Sequence, residues 1–145
     1  MSLDPEIRDA NRAATDRIRT LAGRLSDDQL RQPLGEHWTV AIMLAHLAFW
    51  DRRALDAVAR SESAASVPEV DVVVNDLSLA LWAALPPREA ARLAIESAEA
   101  LDPRIEMLPD AVTAGLLVAN PHWIRRSIHR NLHLDEAEAA IAWEP

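Results

Sequence analysis

Cysteine is absent from the 145 residues. That excludes disulfides, a thiolate nucleophile, iron–sulfur ligation and thiolate zinc sites. Lysine is absent too: all 15 basic residues are arginine. Together with abundant alanine, this reads as GC-rich codon usage rather than chemistry. Tyrosine is missing and glycine occurs three times. No apolar run reaches the roughly 18 residues that a membrane-spanning helix needs. The N-terminus is too acidic and polar for a signal peptide, so a cytoplasmic location is the default expectation. Positive charge is short overall. Fifteen basic against 23 acidic residues give −8, and a net-acidic chain without a basic tract is a poor ligand for nucleic acid.

What is present suits a single domain over residues 1–145. Half of the residues are hydrophobic and 26% are charged, an ordinary globular balance. The pattern is all-α. A first helix is expected at about 4–25, with Asp4 as N-cap and Pro5 in its first turn. Ile7, Ala14, Ile18, Leu21 and Leu25 make its apolar stripe, with Asn11 as a polar inclusion. Pro33 and Gly35 break the pattern. Thr39 then caps a second helix at about 40–60, with Met43, His46, Leu47, Trp50 and Ala54 on one face. The polar stretch 61–68 reads as a loop, and 70–85 as helical or partly irregular. A third long helix is expected at about 87–108, kinked at Pro103 or restarted there with Asp102 as cap. Residues 110–120 form a short helix or loop, and a last long helix covers about 121–143. Four long helices make a four-helix bundle. Ile18, Leu21, Leu47, Trp50, Leu93, Ile128 and Leu132 are the expected core.

Five histidines carry the chemistry. His129 and His133 stand four apart on a helix, one turn above each other, within about 5–6 Å at Cβ. Two imidazoles so placed can hold one first-row metal ion. They lie beside the apolar arc of Ile124, Ile128 and Leu132, in a stripe with His122, Arg125 and Glu136. That stripe is either a solvated face or a pocket wall. His46 sits on the apolar face of the second helix, and a buried imidazole needs partners for its ring nitrogens. A metal shared with His129 and His133 supplies one. Three histidines without a fourth strong ligand leave coordination positions open, as catalytic rather than structural sites do.

The segment from Glu36 to Asp51, with Trp38-Thr39-Val40 leading to Ala45-His46-Leu47 and then Trp50-Asp51, resembles the signature of the DinB/YfiT-like superfamily. His129-Arg130-Asn131-Leu132-His133-Leu134-Asp135 is similar to that family's last-helix motif. Val74-Asn75 and Leu85-Pro86-Pro87-Arg88-Glu89 fit its linker and third-helix start. The resemblance implies an up-down-down-up four-helix bundle, usually homodimeric. It implies a divalent metal, zinc or nickel, on His46, His129 and His133. It also implies metal-dependent work with a low-molecular-weight thiol of the mycothiol or bacillithiol type, as a thiol-S-transferase or a maleylpyruvate isomerase.

The chain departs from the family pattern in carrying Arg130 and Leu132 where an aromatic and an acidic residue are common. It has His129 where the isomerase branch has glutamate, which favours the transferase-like branch. The expected partners are the thiol and an electrophilic substrate. In the mechanism expected from this, the coordinated thiol is deprotonated and attacks an electrophilic carbon. Glu136, one turn below His133, supports that ligand, and Asp51 is a second candidate for such support. Arg125 is the candidate group for a carboxylate. Trp50 and Trp123 are candidate pocket walls, His122 is the extra histidine closest to the pair, and His37 is assigned no role. The alternatives are a non-catalytic metal-binding module and a bundle that binds a small ligand without metal.

Overall fold

A computed structural model describes residues 3–142. Asp4 caps helix α1 (Pro5–Arg24) by accepting from the Glu6 amide at 2.9 Å. Ser26 and Gln29 form a reciprocal capping box on the short α2 (Asp27–Leu30). Pro33–Leu34 (β1) and Trp38–Thr39 (β2) pair antiparallel across a turn in which Gly35 takes φ 67°. This left-handed conformation favours glycine. Helix α3 (Val40–Glu62) follows, capped by the Thr39 hydroxyl on the Ile42 amide at 3.1 Å. Then come α4 (Val73–Ala84), α5 (Pro87–Glu106), α6 (Asp110–Ala119), a 3-10 turn at Pro121–Trp123, and α7 (Arg126–Ala140). No helix among the described residues is long and apolar enough to cross a membrane.

The long helices α1, α3, α5 and α7 form the expected all-α bundle, with α3 packed most extensively on α5 and α1 against both α5 and α7. Ile18, Leu21, Leu47 and Trp50 are buried, while Leu93 is half-buried. Helix α5 runs through Pro103 rather than restarting there. Asp102 is turned inward to Thr15 and Arg130, so it is not available as a cap.

The last helix departs most from expectation. It begins at Arg126, because Pro121–Trp123 is a 3-10 turn capped by the Asn120 side chain. It ends at Ala140 with Ile141 as C-cap, short of the expected residue 143. Ile128 and Leu132 are not core: they are 52% and 56% exposed. The inward face is Arg126, Arg130, Leu134 and Ala137. The cause is a buried charge network. Asp51, on α3, accepts from Arg126 Nε at 2.9 Å and Arg130 Nε at 3.0 Å. Arg130 Nη1 reaches Asp102 Oδ1 at 2.9 Å and donates to the Thr15 hydroxyl at 3.0 Å. Burial pushes the Asp102 carboxyl up, and Arg130 opposes that shift. Asn11, the polar inclusion of α1, accepts from the Ser127 amide and donates to the Ile124 carbonyl, which fixes the start of α7. Two arginines facing inward turn Ile128 and Leu132 outward, since side chains two apart point to different faces of a helix.

Because α3 presents both Asp51 and His46, its first turn matters to the site. Thr39→Ala is expected to cost about 1 kcal/mol, read as a lower urea midpoint. An unchanged midpoint would show that the cap contributes nothing.

Candidate metal centre

His46 is buried on α3, and His129 and His133 come from successive turns of α7. The three Nε2 atoms converge: His46 Nε2 lies 2.9 Å from that of His129 and 3.1 Å from that of His133. A tetrahedral zinc with Zn–N bonds near 2.0–2.1 Å places its nitrogens about 3.3 Å apart. The residues therefore fit one ion with little adjustment. They are the group of metal-competent side chains found among the described residues.

The outer ring nitrogens differ in their surroundings. Glu136 Oε2 lies 3.2 Å from His133 Nδ1. A carboxylate there keeps the proton on Nδ1 and leaves the Nε2 lone pair free for a metal. His46 Nδ1 is buried without a hydrogen bond. The nearby Asn75 side chain favours the charged form of His46, while its Oδ1 accepts from Trp50 Nε1 at 2.8 Å. His129 Nδ1 faces Arg126 Nη2 at 3.4 Å. Trp38, Trp50 and Trp82 surround His46, with ring centroids 4.7, 6.5 and 5.4 Å away.

Burial, reinforced by the charge of His133, pushes His46 down to about 3. Burial, followed by the charge of Arg126, pushes His129 down to about 2. Both are neutral at pH 7, the state a metal requires. In the unfolded chain they take up protons below about pH 6.5. Their native-state values are depressed, so the stability they contribute is complete above about 6.5 and is lost as pH falls toward 3. The metal-free protein is expected to lose up to about 1.4 kcal/mol per pH unit for each of the two histidines below pH 6.5. Urea midpoints between pH 8 and 5 measure this, and a His46→Gln/His129→Gln variant should flatten the profile. A wild-type midpoint constant down to pH 5 would contradict it.

The three histidines line a cavity of about 320 Å³ that also meets Trp38, Asn75, His122 and Arg126. Sequence reasoning found the three histidines and, in Trp50 and Trp123, two of its walls. It missed Arg126, Asn75, Trp38 and Trp82. Val74-Asn75 carries only the linker resemblance, and the indole–amide pair of Trp50 with Asn75 has no local signal in the sequence. Arg125 is exposed and is not among the lining residues; its neighbour Arg126 takes that place. His122 is exposed at the cavity rim and stands outside the three-histidine group. His37 is exposed beside Glu36. Asp51 does not approach His46 as a partner. It holds Arg126, which in turn faces His129.

The chain is an all-α bundle in which three histidines that could hold a metal ion converge beside a cavity. The model of the mycothiol maleylpyruvate isomerase N-terminal domain family matches residues 11–133, a span that contains all three histidines. The chain belongs to that family and, through it, to the DinB/YfiT-like superfamily. No curated protein and no solved structure gives a match.

Proposed function

We propose that this protein is a divalent-metal-dependent, thiol-S-transferase-like enzyme. The observation that carries the reading is the convergence of three imidazole nitrogens at the wall of a cavity with room beside them. His46, His129 and His133 would hold zinc or nickel, since imidazole suits both. Bound there, the ion supplies a Lewis acid that stabilises a thiolate at neutral pH. The remaining work falls to the chain. Trp38, Trp50 and Trp82 exclude water around His46. Glu136 orients the His133 ring through Nδ1.

Arg126 commits Nε to Asp51 and Nη1 to the His122 carbonyl, which leaves Nη2 facing His129 and the cavity. That guanidinium is placed to attract a carboxylate on the electrophile, the role the sequence suggested for Arg125. In the reaction a bond forms between thiol sulfur and electrophilic carbon, the leaving group departs with its electron pair, and the thiol proton passes to solvent. The family description names an isomerase. The all-histidine ligand set, with His129 in place of the isomerase branch's glutamate, supports the transferase branch.

Ile128 and Leu132, one turn apart and exposed on α7, support association into a homodimer. Light scattering should then give twice the 16.0 kDa chain mass, and a 16.0 kDa species would remove the dimer alone. The enzymatic reading is tested by metal-loaded protein turning over monochlorobimane with a panel of thiols. Thiol-dependent conjugation that His46→Ala abolishes is the expected result. Metal binding without turnover of any electrophile would instead identify a non-catalytic metal-binding bundle.

A further inference from the structure

A thiol that gives up its proton in the metal cavity needs a group to receive it, and the wall narrows the choice. The lining contains no carboxylate. Asp51 lies behind Arg126, closed in by two guanidinium groups, and Glu136 stands at the outer nitrogen of His133. The Nε2 atoms of His46, His129 and His133 converge where a metal takes their lone pairs. The Arg126 guanidinium is paired with Asp51 as a cation and has no lone pair for a proton. The indoles and the two asparagines of the lining are not bases. His122 remains. It lines the cavity and stands outside the three-histidine group, and its ring makes no hydrogen bond among the described residues.

The backbone fixes this ring at the rim. His122 sits in the 3-10 turn Pro121–Trp123, where its amide donates to Asn120 Oδ1 at 3.1 Å. Its carbonyl accepts from Arg126 Nη1 at 2.8 Å. Two side chains that themselves line the cavity thus hold the turn from both sides. The residue meets the cavity and is also exposed. It lies near the ligand set as well: burial is the main cause that pushes His129 down, and the charge of His122 is among the others. An imidazole can take a proton at one ring nitrogen and release it from the other, and histidine is the side chain that ordinarily changes charge near neutral pH.

We propose that His122 is the proton shuttle of this site: its imidazole takes the proton of a thiol in the metal cavity and hands it to bulk water on the exposed side. This rests on the thiol-dependent reading above and assigns the route by which the proton reaches solvent. The S–H bond breaks and its electron pair stays on sulfur. The proton moves to a ring nitrogen of neutral His122. Water or a buffer base then removes a proton from the imidazolium and restores the neutral ring.

The test follows proton transfer rather than turnover. Nickel-loaded protein is mixed with 2-mercaptoethanol by stopped flow in lightly buffered solution. Thiolate formation is read from thiolate-to-nickel absorption, and proton release from a pH-indicator dye. His122→Gln keeps a polar side chain of similar size without a base. It should slow both signals about 10²-fold, the low end of what a positioned acid–base group contributes, and leave their final amplitudes unchanged. Raising the concentration of a bulky buffer base that does not bind nickel should restore the variant's rate. The wild-type rate should not depend on buffer. Arg125→Gln, exposed on the next turn and outside the lining, should behave as wild type.

If His122→Gln forms thiolate as fast as wild type in dilute buffer, the proton goes straight to water and the shuttle is wrong, while the thiol reading survives. Slow formation that buffer does not restore, or a lower final amplitude, also overturns the shuttle, because His122 then shapes the site or holds the thiol. If the wild type forms no thiolate, both readings fail.

Discussion

Asp51→Ala is expected to destabilise the protein by about 3–5 kcal/mol, because it strips the shared carboxylate from two buried guanidinium groups. Arg126 and Arg130 both donate to Asp51, and neither is exposed. Typical domains have only about 5–15 kcal/mol to lose, so the variant should be close to unfolded at 37 °C. Asp51→Asn keeps the volume and one acceptor oxygen but not the charge, and should fall between the two. Because Arg126 also faces His129, the damage reaches the site. Asp51→Asn should weaken metal binding even where the protein remains folded. Urea midpoints with circular dichroism measure the first effect, and metal titration the second. A loss below about 1 kcal/mol for Asp51→Ala would mean that water replaces the carboxylate and that the network contributes little.

The second large effect is removal of the metal. At a free metal concentration 100 times its dissociation constant, binding adds about 2.7 kcal/mol to the native state. For a chain of this size that corresponds to a shift in Tm on the order of 5–11 °C. Chelator is expected to lower the melting temperature of wild-type protein by that amount. His46→Ala, His129→Ala and His133→Ala should each melt at the same temperature with and without chelator. His37→Ala and His122→Ala should keep the full response, since neither belongs to the converging group. Glu136→Gln should keep most of it, as it touches only the outer nitrogen of His133. A chelator response retained by His46→Ala would place the metal elsewhere.

The parts of this site that were legible in the sequence are those coded locally. His129 and His133 sit at i, i+4, so any helix through 126–140 brings them to one side. His46 stood out because α3 is apolar almost all round it, and an imidazole there demands a partner. The caps Asp4 and Thr39 were legible for the same local reason. What misled was α7. Ile124, Ile128 and Leu132 form a four-residue ladder that imitates a core stripe, yet the buried face carries Arg126 and Arg130.

Nothing near those arginines in sequence explains their burial, since their shared partner Asp51 lies 75 and 79 positions away. Helix periodicity measures apolarity, and a charge-paired core has none to show. The same inverted wheel puts Arg125 in the histidine stripe, whereas Arg126 lines the cavity. Asn75 was hidden differently, because the acceptor of its indole donor is fixed only when α4 folds onto α3.

The most direct test of the three-histidine centre is elemental analysis of untagged protein, purified without nickel resin, for the wild type and His46→Ala side by side. The account predicts one first-row metal ion per wild-type chain and essentially none in the variant, with both folded by circular dichroism. Equal metal content in the two, or a metal-free wild type that takes up no zinc or nickel at neutral pH, would contradict it.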